Sequence, residues 1–196
     1  MKVSLNWLKT FVPIEMTPDE LTAALTMAGL EVEAVSDRFE YLKSVRVGLV
    51  AAVKDHTNAD RLKVCDVDIG EQTLTVVCGA PNVKEGMLSP LALPGTHFPD
   101  DRILEKGVIR GVASEGMLCS EAELELGTST SGIMALNNEL TKGQTLSTAL
   151  NLSDTVIEID LTPNRPDCLS VIGIAREIAA IVKREISYPD ATLPVS

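Results

Sequence analysis

The sequence predicts a mixed fold in which a small β barrel is inserted into a discontinuous α+β domain. Apolar residues recur with a period of two from about residue 45, whereas both ends of the chain show helical periodicity. Each end offers too few elements to bury a core by itself. Residues 1–39 and 149–190 are therefore expected to fold together around a barrel formed by residues 40–148.

The first segment contains the clearest helix start in the chain. Thr17 is suited to cap a helix, Pro18 stands at its first position, and Glu20 completes a capping box. Gly29 is expected to end this helix in a left-handed conformation. Residues 30–35 then alternate apolar and acidic side chains, which predicts a half-buried strand.

The middle of the chain is patterned as a series of short antiparallel strands. Strands are predicted at residues 45–53, 62–69, 73–78, 88–93 and 109–112. A tight turn at residues 70–72 separates the second strand from the third. Closing these strands into a barrel would leave few exposed edges.

The last segment repeats the pattern of strand, break and helix. Residues 156–161 alternate like a strand, and the two prolines of residues 162–166 end it. A helix is predicted to begin between Asp167 and Ser170 and to continue to Val182. Residues 191–196 are expected to belong to a linker that leads to further domains.

The composition is acidic and does not suit a protein that binds mainly through phosphates. The chain has 17 Lys plus Arg against 28 Asp plus Glu, a net charge of −11. Residues 40–148 alone carry 10 basic and 15 acidic side chains. Phosphate-binding proteins are usually basic because neutralising the nucleic-acid backbone supplies much of their affinity.

The hydrophobic segments are too short to predict a membrane protein. No apolar stretch approaches the roughly 20 residues that a membrane helix requires, and the first six residues lack the apolar region of a secretory signal. A cytoplasmic location is therefore expected, without membrane association.

The four cysteines are expected to be buried free thiols. Cys65, Cys78, Cys119 and Cys168 are far apart in the sequence, with no C-x-x-C pair. Only two histidines are present to complete a metal site. Neither a disulfide framework nor a zinc site is predicted.

Two runs of small and short polar residues stand out as loops presented by the barrel. They are CGAPNV at 78–83 and RGVASEGMLCS at 110–120. Neither contains a catalytic constellation. Glycine and a short hydroxyl around Ser114 suit a loop whose backbone amides approach a ligand such as phosphate, but they equally suit a corner of the barrel.

Six segments, in order, resemble the N-terminal part of the β subunit of bacterial phenylalanine-tRNA ligases. They are SLNWL at 4–8, GLEVE at 29–33, HTNADRL at 56–62, VVCGAPN at 76–82, RGVASEGMLCS at 110–120 and TPNRPDCLS at 162–170. Residues 40–148 alone are also similar to tRNA-binding OB-type barrels in other proteins, and the flanking segments favour the phenylalanine enzyme. Thr57 departs from the proline that usually follows the histidine.

The resemblance implies an OB-type barrel within a cytoplasmic α2β2 ligase that joins phenylalanine to its tRNA with ATP and magnesium. It also implies that aminoacylation takes place on the α subunit and editing later in the β subunit than Ser196. The chain is therefore expected to be a non-catalytic portion with no cofactor or metal of its own. Its expected partners are the phenylalanine-specific tRNA and the α subunit.

The resemblance also supplies candidate tRNA-binding residues in the matching loops. They are Asn58, Arg61, Lys63, Asn82, Arg110, Ser114, Glu115, Met117 and Ser120. Cations available to phosphates also include Lys84, Arg102 and Lys106. Only Tyr41 and Phe98 are aromatic between residues 40 and 148, so a platform for stacking bases is nearly absent.

Three classes of function remain open from the sequence. The favoured class is a tRNA-binding and scaffolding portion of the ligase, and the alternative is a module that only packs against other domains. The third is an independent tRNA-binding protein or chaperone. His56 is interpreted as structural because it adjoins the turn residues Asn58 and Asp60. Arg165 and Asp167 either fix a helix start or form a docking surface.

Overall fold

The computed structural model describes residues 1–189, and the chain forms two compact units. Of the described residues, 1–38 and 153–189 form the first unit, and Phe39–Leu152 form the second. The linker predicted at residues 191–196 lies outside the described residues.

Ten strands and four α-helices make up the described chain. The strands are β1 (Lys2–Ser4), β2 (Glu31–Asp37), β3 (Val45–Asp55), β4 (Lys63–Asp68), β5 (Thr73–Cys78), β6 (Leu88–Ala92), β7 (Gly107–Ile109), β8 (Val112–Ser114), β9 (Met117–Leu118) and β10 (Thr155–Asp160). The helices are α1 (Leu5–Leu8), α2 (Pro18–Met27), α3 (Leu146–Ala149) and α4 (Val171–Val182). None of the helices within residues 1–189 has the length and hydropathy needed to span a bilayer.

The first unit is a three-stranded antiparallel sheet that draws on both ends of the chain. Its strand order is β1-β10-β2, so the central strand comes from the second end. Helices α2 and α4 contribute Leu21, Leu25, Ile174 and Ile178 to the core, where all four side chains are fully buried. Strand β2 is an edge strand and is mostly exposed, which corrects the expectation of a half-buried strand.

The predicted capping box at the start of α2 is confirmed. The backbone N–H of Glu20 donates to Thr17 Oγ1 at 3.3 Å, and Glu20 Oε2 accepts from the Thr17 N–H at 2.9 Å. These bonds lower the pKa of Glu20 because they stabilise its ionised form. Gly29 follows the helix with φ of +86°, as its position in the sequence predicted.

The second unit is a five-stranded antiparallel sheet that is nearly closed. Its strand order is β5-β4-β3-β6-β9, and the long strand β3 pairs with both β4 and β6. The last residue of β8 and the residue after it complete the barrel against β5. The N–H of Glu115 donates to the Thr75 carbonyl at 2.9 Å, and Ser114 Oγ accepts from the Val77 N–H at 3.1 Å. The predicted fold class is confirmed.

The prediction of a continuous strand at residues 109–112 is wrong, because a turn interrupts it. Strands β7 and β8 form a two-stranded hairpin, and Arg110 and Gly111 are the two residues between them. Both have positive φ, 51° and 93°, which is the type I′ geometry that matches the twist of a hairpin. The pattern of apolar residues at 109 and 112 concealed this turn.

Candidate functional site

A cleft of about 720 Å³ in the Phe39–Leu152 unit brings the two sequence motifs together. Four segments line it, at residues 77–81, 100–109, 114–123 and 130–133. The volume lies within the range typical of ligand pockets in proteins. Carbonyl, hydroxyl and carboxylate groups interrupt an otherwise aliphatic wall, which makes this cleft the candidate functional site.

Asn82 fixes one wall of the cleft. Its amide nitrogen Nδ2 donates to the Ile133 carbonyl at 2.8 Å, and its Oδ1 accepts from the Ile133 N–H at 3.0 Å. A Cβ atom on Gly132 would lie 2.2 Å from Asn82 Oδ1, so the contact requires glycine at that position. The predicted binding residue Asn82 therefore shapes the loop at residues 130–133.

Ser114 and Glu115 fasten the opposite wall to the barrel. Ser114 is buried, and its Oγ donates to the Gly116 carbonyl at 2.9 Å while it accepts from the Val77 N–H. Glu115 Oε2 accepts from the Thr75 N–H at 3.3 Å. Both side chains thus have partners within the protein, and Gly116 approaches the Ala92 carbonyl too closely for a Cβ atom.

Ser120 forms a local turn with Glu123 at the far end of the same wall. The N–H and Oγ of Ser120 both donate to Glu123 Oε2 at 2.7 Å, and the Glu123 N–H donates to Ser120 Oγ at 3.3 Å. Met117 lies in β9, where it pairs with Ala92. Met117 and Ser120 line the cleft, as Ser114 does.

His56 and Asn58 hold the tip of the β7–β8 hairpin against the loop at residues 56–62. Nδ1 of the His56 ring accepts from the Asn58 N–H at 3.0 Å, which assigns the ring proton to Nε2, 3.1 Å from the Ile109 carbonyl. Asn58 Nδ2 donates to the Arg110 carbonyl at 3.4 Å. The buried His56 therefore has the structural role that the sequence predicted.

The cations divide into paired and unpaired groups. Lys63 bonds to Asp55 and lowers the pKa of that carboxyl group, and Arg102 Nε bonds to Asp100 Oδ2 at 2.6 Å. Within residues 1–189, no ion pair involves Arg61, Lys84, Lys106 or Arg110. Of the cations predicted to meet phosphates, these four retain an uncompensated charge.

Two acidic residues that line the cleft, Glu105 and Glu123, had no distinctive signal in the sequence, because both lie outside the two motifs. Arg102 also lines the cleft, whereas the sequence identifies it only as a cation available to phosphates. The positions of Arg102 and Glu105 depend on how the loop at residues 98–107 folds, which the pattern of apolar residues does not specify.

The four thiols are buried and free. Burial raises the pKa of Cys65 to about 11 and that of Cys119 to about 12. Burial also raises the pKa of Cys78, which lines the cleft. These thiols are protonated near neutral pH and do not form a nucleophilic site.

In the first unit, Arg165 lies among the polar groups that follow β10. Its Nη2 bonds to Asp167 Oδ2 at 3.0 Å and to Cys168 Sγ at 2.9 Å, and it lies 2.8 Å from Glu177 Oε1. The ligand atoms of Asp167, Cys168 and Glu177 all lie within 4.8 Å of one another. The guanidinium already supplies the positive charge among them, and these contacts support the structural interpretation of Arg165.

The fold and the cleft together define an OB-type barrel of the class that carries nucleic-acid-binding loops. Residues 45–145 match a family model described as a putative tRNA binding domain. The chain belongs to this family.

Relatives along almost the whole chain are β subunits of phenylalanine–tRNA ligase. The chain is 49% identical to that of Desulfotalea psychrophila over 96% of its own length and 48% identical to that of Syntrophus aciditrophicus over 97%. It spans 23% and 24% of the lengths of these two relatives. The resemblance predicted from the six motifs is confirmed.

Solved structures show a more distant similarity. A MetRS-related protein from Pyrococcus horikoshii aligns with a TM-score of 0.39 and 17% identity, over 66% of this chain and 96% of that one. The C-terminal domain of Plasmodium vivax p43 aligns with a TM-score of 0.37 and 19% identity, over 52% of this chain and 59% of that one.

Proposed function

We propose that the chain is a non-catalytic, tRNA-binding portion of a phenylalanine–tRNA ligase β subunit. The observation that carries the proposal is the junction of the hairpin tip and the loop at residues 56–62. Asn58 ties the Arg110 backbone to the loop that contains Arg61, and both guanidinium groups lack an acidic partner within residues 1–189. Two unpaired cations on adjoining loops suit contact with an RNA backbone.

In this proposal, some of the predicted binding residues contact the RNA, and the others hold the binding loops in place. Arg61 and Arg110 contact phosphates, and the exposed Asn58 positions Arg110. Asn82, Ser114, Glu115 and Ser120 support the loops, because their side chains are already bonded within the protein. Met117 contributes an apolar surface to the cleft, and Lys63 contributes less because Asp55 neutralises it.

The whole protein of which this chain is a part is proposed to be a cytoplasmic α2β2 ligase. It would attach phenylalanine to its tRNA with ATP and magnesium, at sites outside these 196 residues. The similarity to β subunits along the chain supports this proposal, and the phenylalanine-specific tRNA and the α subunit are the partners that it implies.

A domain-packing role is the second candidate, and the negative charge favours it. The chain carries a net charge of −11, so long-range electrostatics oppose the approach of RNA. A packing module would use its surfaces for contact with other domains and would bind tRNA negligibly even at low salt.

A salt titration of tRNA binding distinguishes the two candidates. Specific phosphate contact predicts that the logarithm of the association constant falls linearly with the logarithm of salt concentration. Arg61→Ala and Arg110→Ala should each make this slope shallower by about one unit, since each removes one phosphate contact. Binding of the 196-residue chain to a tRNA transcript can be followed by fluorescence anisotropy.

Lys9→Ala serves as the matched control. Lys9 is exposed in the other unit, and the variant changes the net charge by the same amount as the arginine variants. The slope should remain unchanged in this variant. The absence of tRNA binding at low salt, or equal slopes in all the variants, would favour the packing module.

A further inference from the structure

The charged residues that line the cleft are mainly acidic, whereas Lys106 and Arg110, which we call its rim, are basic. Asp100, Glu105 and Glu123 line the cleft, and the single cation among the lining residues, Arg102, is bonded to Asp100. The unpaired Lys106 and Arg110 each follow a lining residue in the sequence without lining the cleft themselves. A phosphate is therefore repelled from the interior and attracted to the rim.

Arg102 presents a planar group that is held on two sides. Its guanidinium carbon lies 5.5 Å from the centroid of the Phe98 ring, and its Nε donates to Asp100 Oδ2. The loop that carries it is closed by a bond from the Phe98 N–H to the Arg102 carbonyl at 2.8 Å. The guanidinium is thus fixed over a buried ring at the wall of the cleft.

A guanidinium plane held in this way can replace an aromatic ring as a stacking surface. Nucleobases stack on arginine planes in RNA-binding proteins, as they do on aromatic side chains. Among the described residues, no aromatic side chain lines the cleft, and Phe98 lies behind Arg102. Because Asp100 already balances its charge, Arg102 is better suited to stack on a base than to neutralise a phosphate.

The acidic side chains of the cleft retain free acceptor oxygens. Glu105 has no hydrogen bond or ion pair within residues 1–189, and Glu123 uses only Oε2 in its bonds to Ser120. The hydroxyl groups of Ser114 and Ser120 donate within the protein. Carboxylate acceptors pair with the exocyclic amino group of a base such as cytosine, whereas uracil presents an oxygen at the same position.

We propose that the cleft receives one unpaired, amino-bearing nucleobase of the RNA. The base stacks on the guanidinium of Arg102 and donates its amino group to Glu105, while the sugar–phosphate backbone remains on the rim beside Lys106 and Arg110. This inference rests on the proposed function and adds a site for a single unstacked base to the contacts with phosphates.

Two variants test the stacking and the amino recognition separately. Arg102→Lys keeps the charge and removes the plane, so it should weaken binding to oligo(C) at least about fivefold. Glu105→Gln can donate as well as accept, so it should bring the affinity ratio of oligo(C) to oligo(U) close to one. The wild-type chain should bind an eight-nucleotide oligo(C) several-fold more tightly than oligo(U), as measured by fluorescence anisotropy.

Arg184→Lys and Glu71→Gln are the matched controls, because these residues are exposed and do not line the cleft. Arg184→Lys should bind oligo(C) within about twofold of the wild type, since it makes the same exchange at a residue with no proposed contact to RNA. Glu71→Gln should have the same ratio of affinities for oligo(C) and oligo(U) as the wild type. Equal thermal midpoints of all four variants establish that folding is unaffected, and Glu105→Gln tests the cleft independently of Arg102.

Three results would overturn the base-binding cleft while leaving the proposed function intact. In the first, Arg102→Lys binds oligo(C) as tightly as the wild type does. In the second, the wild type binds oligo(C) and oligo(U) with equal affinity. In the third, the wild type binds a tRNA transcript in a salt-dependent manner but binds neither oligonucleotide. The absence of binding to the tRNA as well would remove the proposed function and the inference together.

Discussion

The guanidinium of Arg165 connects the chain segment after β10 with helix α4. It bonds to Asp167 and Cys168 in the segment before the helix and forms an ion pair with Glu177 inside it. The hydrogen bond from Arg165 holds the pKa of Asp167 at about 2, below its ordinary value of 3.8. A carboxyl group with a lowered pKa stabilises the folded state only while it is ionised.

Arg165→Gln should therefore change how stability depends on pH. In the wild type, the contribution of Asp167 is fully present above about pH 4 and is lost as the pH falls towards 2. The variant lacks this contribution at every pH, so the gap between the two melting temperatures should narrow as the pH falls from 6 to 2. Thermal melts followed by circular dichroism provide the measurement.

Arg184→Gln controls for the loss of an exposed arginine near the same helix. The melting temperature of this variant should differ from that of the wild type by a small and nearly constant amount over the same pH range. If the melting temperature of Arg165→Gln is as far below that of the wild type at pH 2 as at pH 6, the role assigned to the Asp167 carboxylate is contradicted.

Helix α4 illustrates how close packing can reverse an intrinsic helix propensity. Gly173 is an interior residue of this helix, where alanine is ordinarily favoured by about 1 kcal/mol. A Cβ atom at this position would lie 1.9 Å from the Asp167 carbonyl oxygen. The backbone before the helix therefore approaches the helix more closely than any other residue would allow.

Gly173→Ala should destabilise the protein by about 1–3 kcal/mol in spite of the better propensity of alanine. Urea denaturation measures the change in unfolding free energy. Gly107→Ala is the control, since a Cβ atom there meets nothing within 4 Å and its effect should stay within about 0.5 kcal/mol. A stabilised Gly173→Ala variant would show that the segment before the helix can move away.

Elements with local signals were predictable from the sequence, and those that depend on distant contacts were not. Thr17, Pro18 and Glu20 determine a helix start within four residues, and the structure has the predicted cap. The turn at Arg110 and Gly111 was missed, because the residues on either side continued an apolar pattern. The flanking bonds from His56 and Asn58 cross about fifty residues of sequence, which local patterns do not report.

In the candidate site, too, local motifs were predictable from the sequence and distant contacts were not. Motif resemblance led to the loops around Asn82 and Ser114, but their hydrogen bonds show them to be supports for the cleft. By sequence, Arg102 is one of the cations available to phosphates, whereas the structure pairs its charge with Asp100 and places its guanidinium plane over the Phe98 ring. That environment arises from a turn in which Asp101 has a φ of 65°, and such turns are difficult to predict without a glycine.

The two units depend differently on the continuity of the chain. Strands β1 and β2 are each paired with β10, which begins after Ser153. The strands and apolar clusters of the barrel, in contrast, all lie within Phe39–Leu152. The barrel can therefore retain its core without the first unit, whereas the first forty residues cannot form their sheet alone.

Truncation should reveal this asymmetry. A fragment of residues 39–152 is expected to fold cooperatively, as measured by circular dichroism and urea denaturation. In a fragment of residues 1–152, trypsin should rapidly digest residues 1–38 and leave the barrel, because the strand that joins β1 to β2 is missing. The full chain is the control, and slow digestion of residues 1–38 in both proteins would contradict the prediction.

The pairing of β2 with β10 places the entry to the barrel beside its exit. Asp37 pairs with Thr155 across the two strands, and the Arg38 N–H donates to the Asp154 carbonyl at 2.9 Å. In the small sheet, Phe39–Leu152 thus occupy the position of a hairpin turn. A turn of this kind accepts an inserted domain without a change in the register of the host strands, since the host sheet requires only that these two ends remain adjacent.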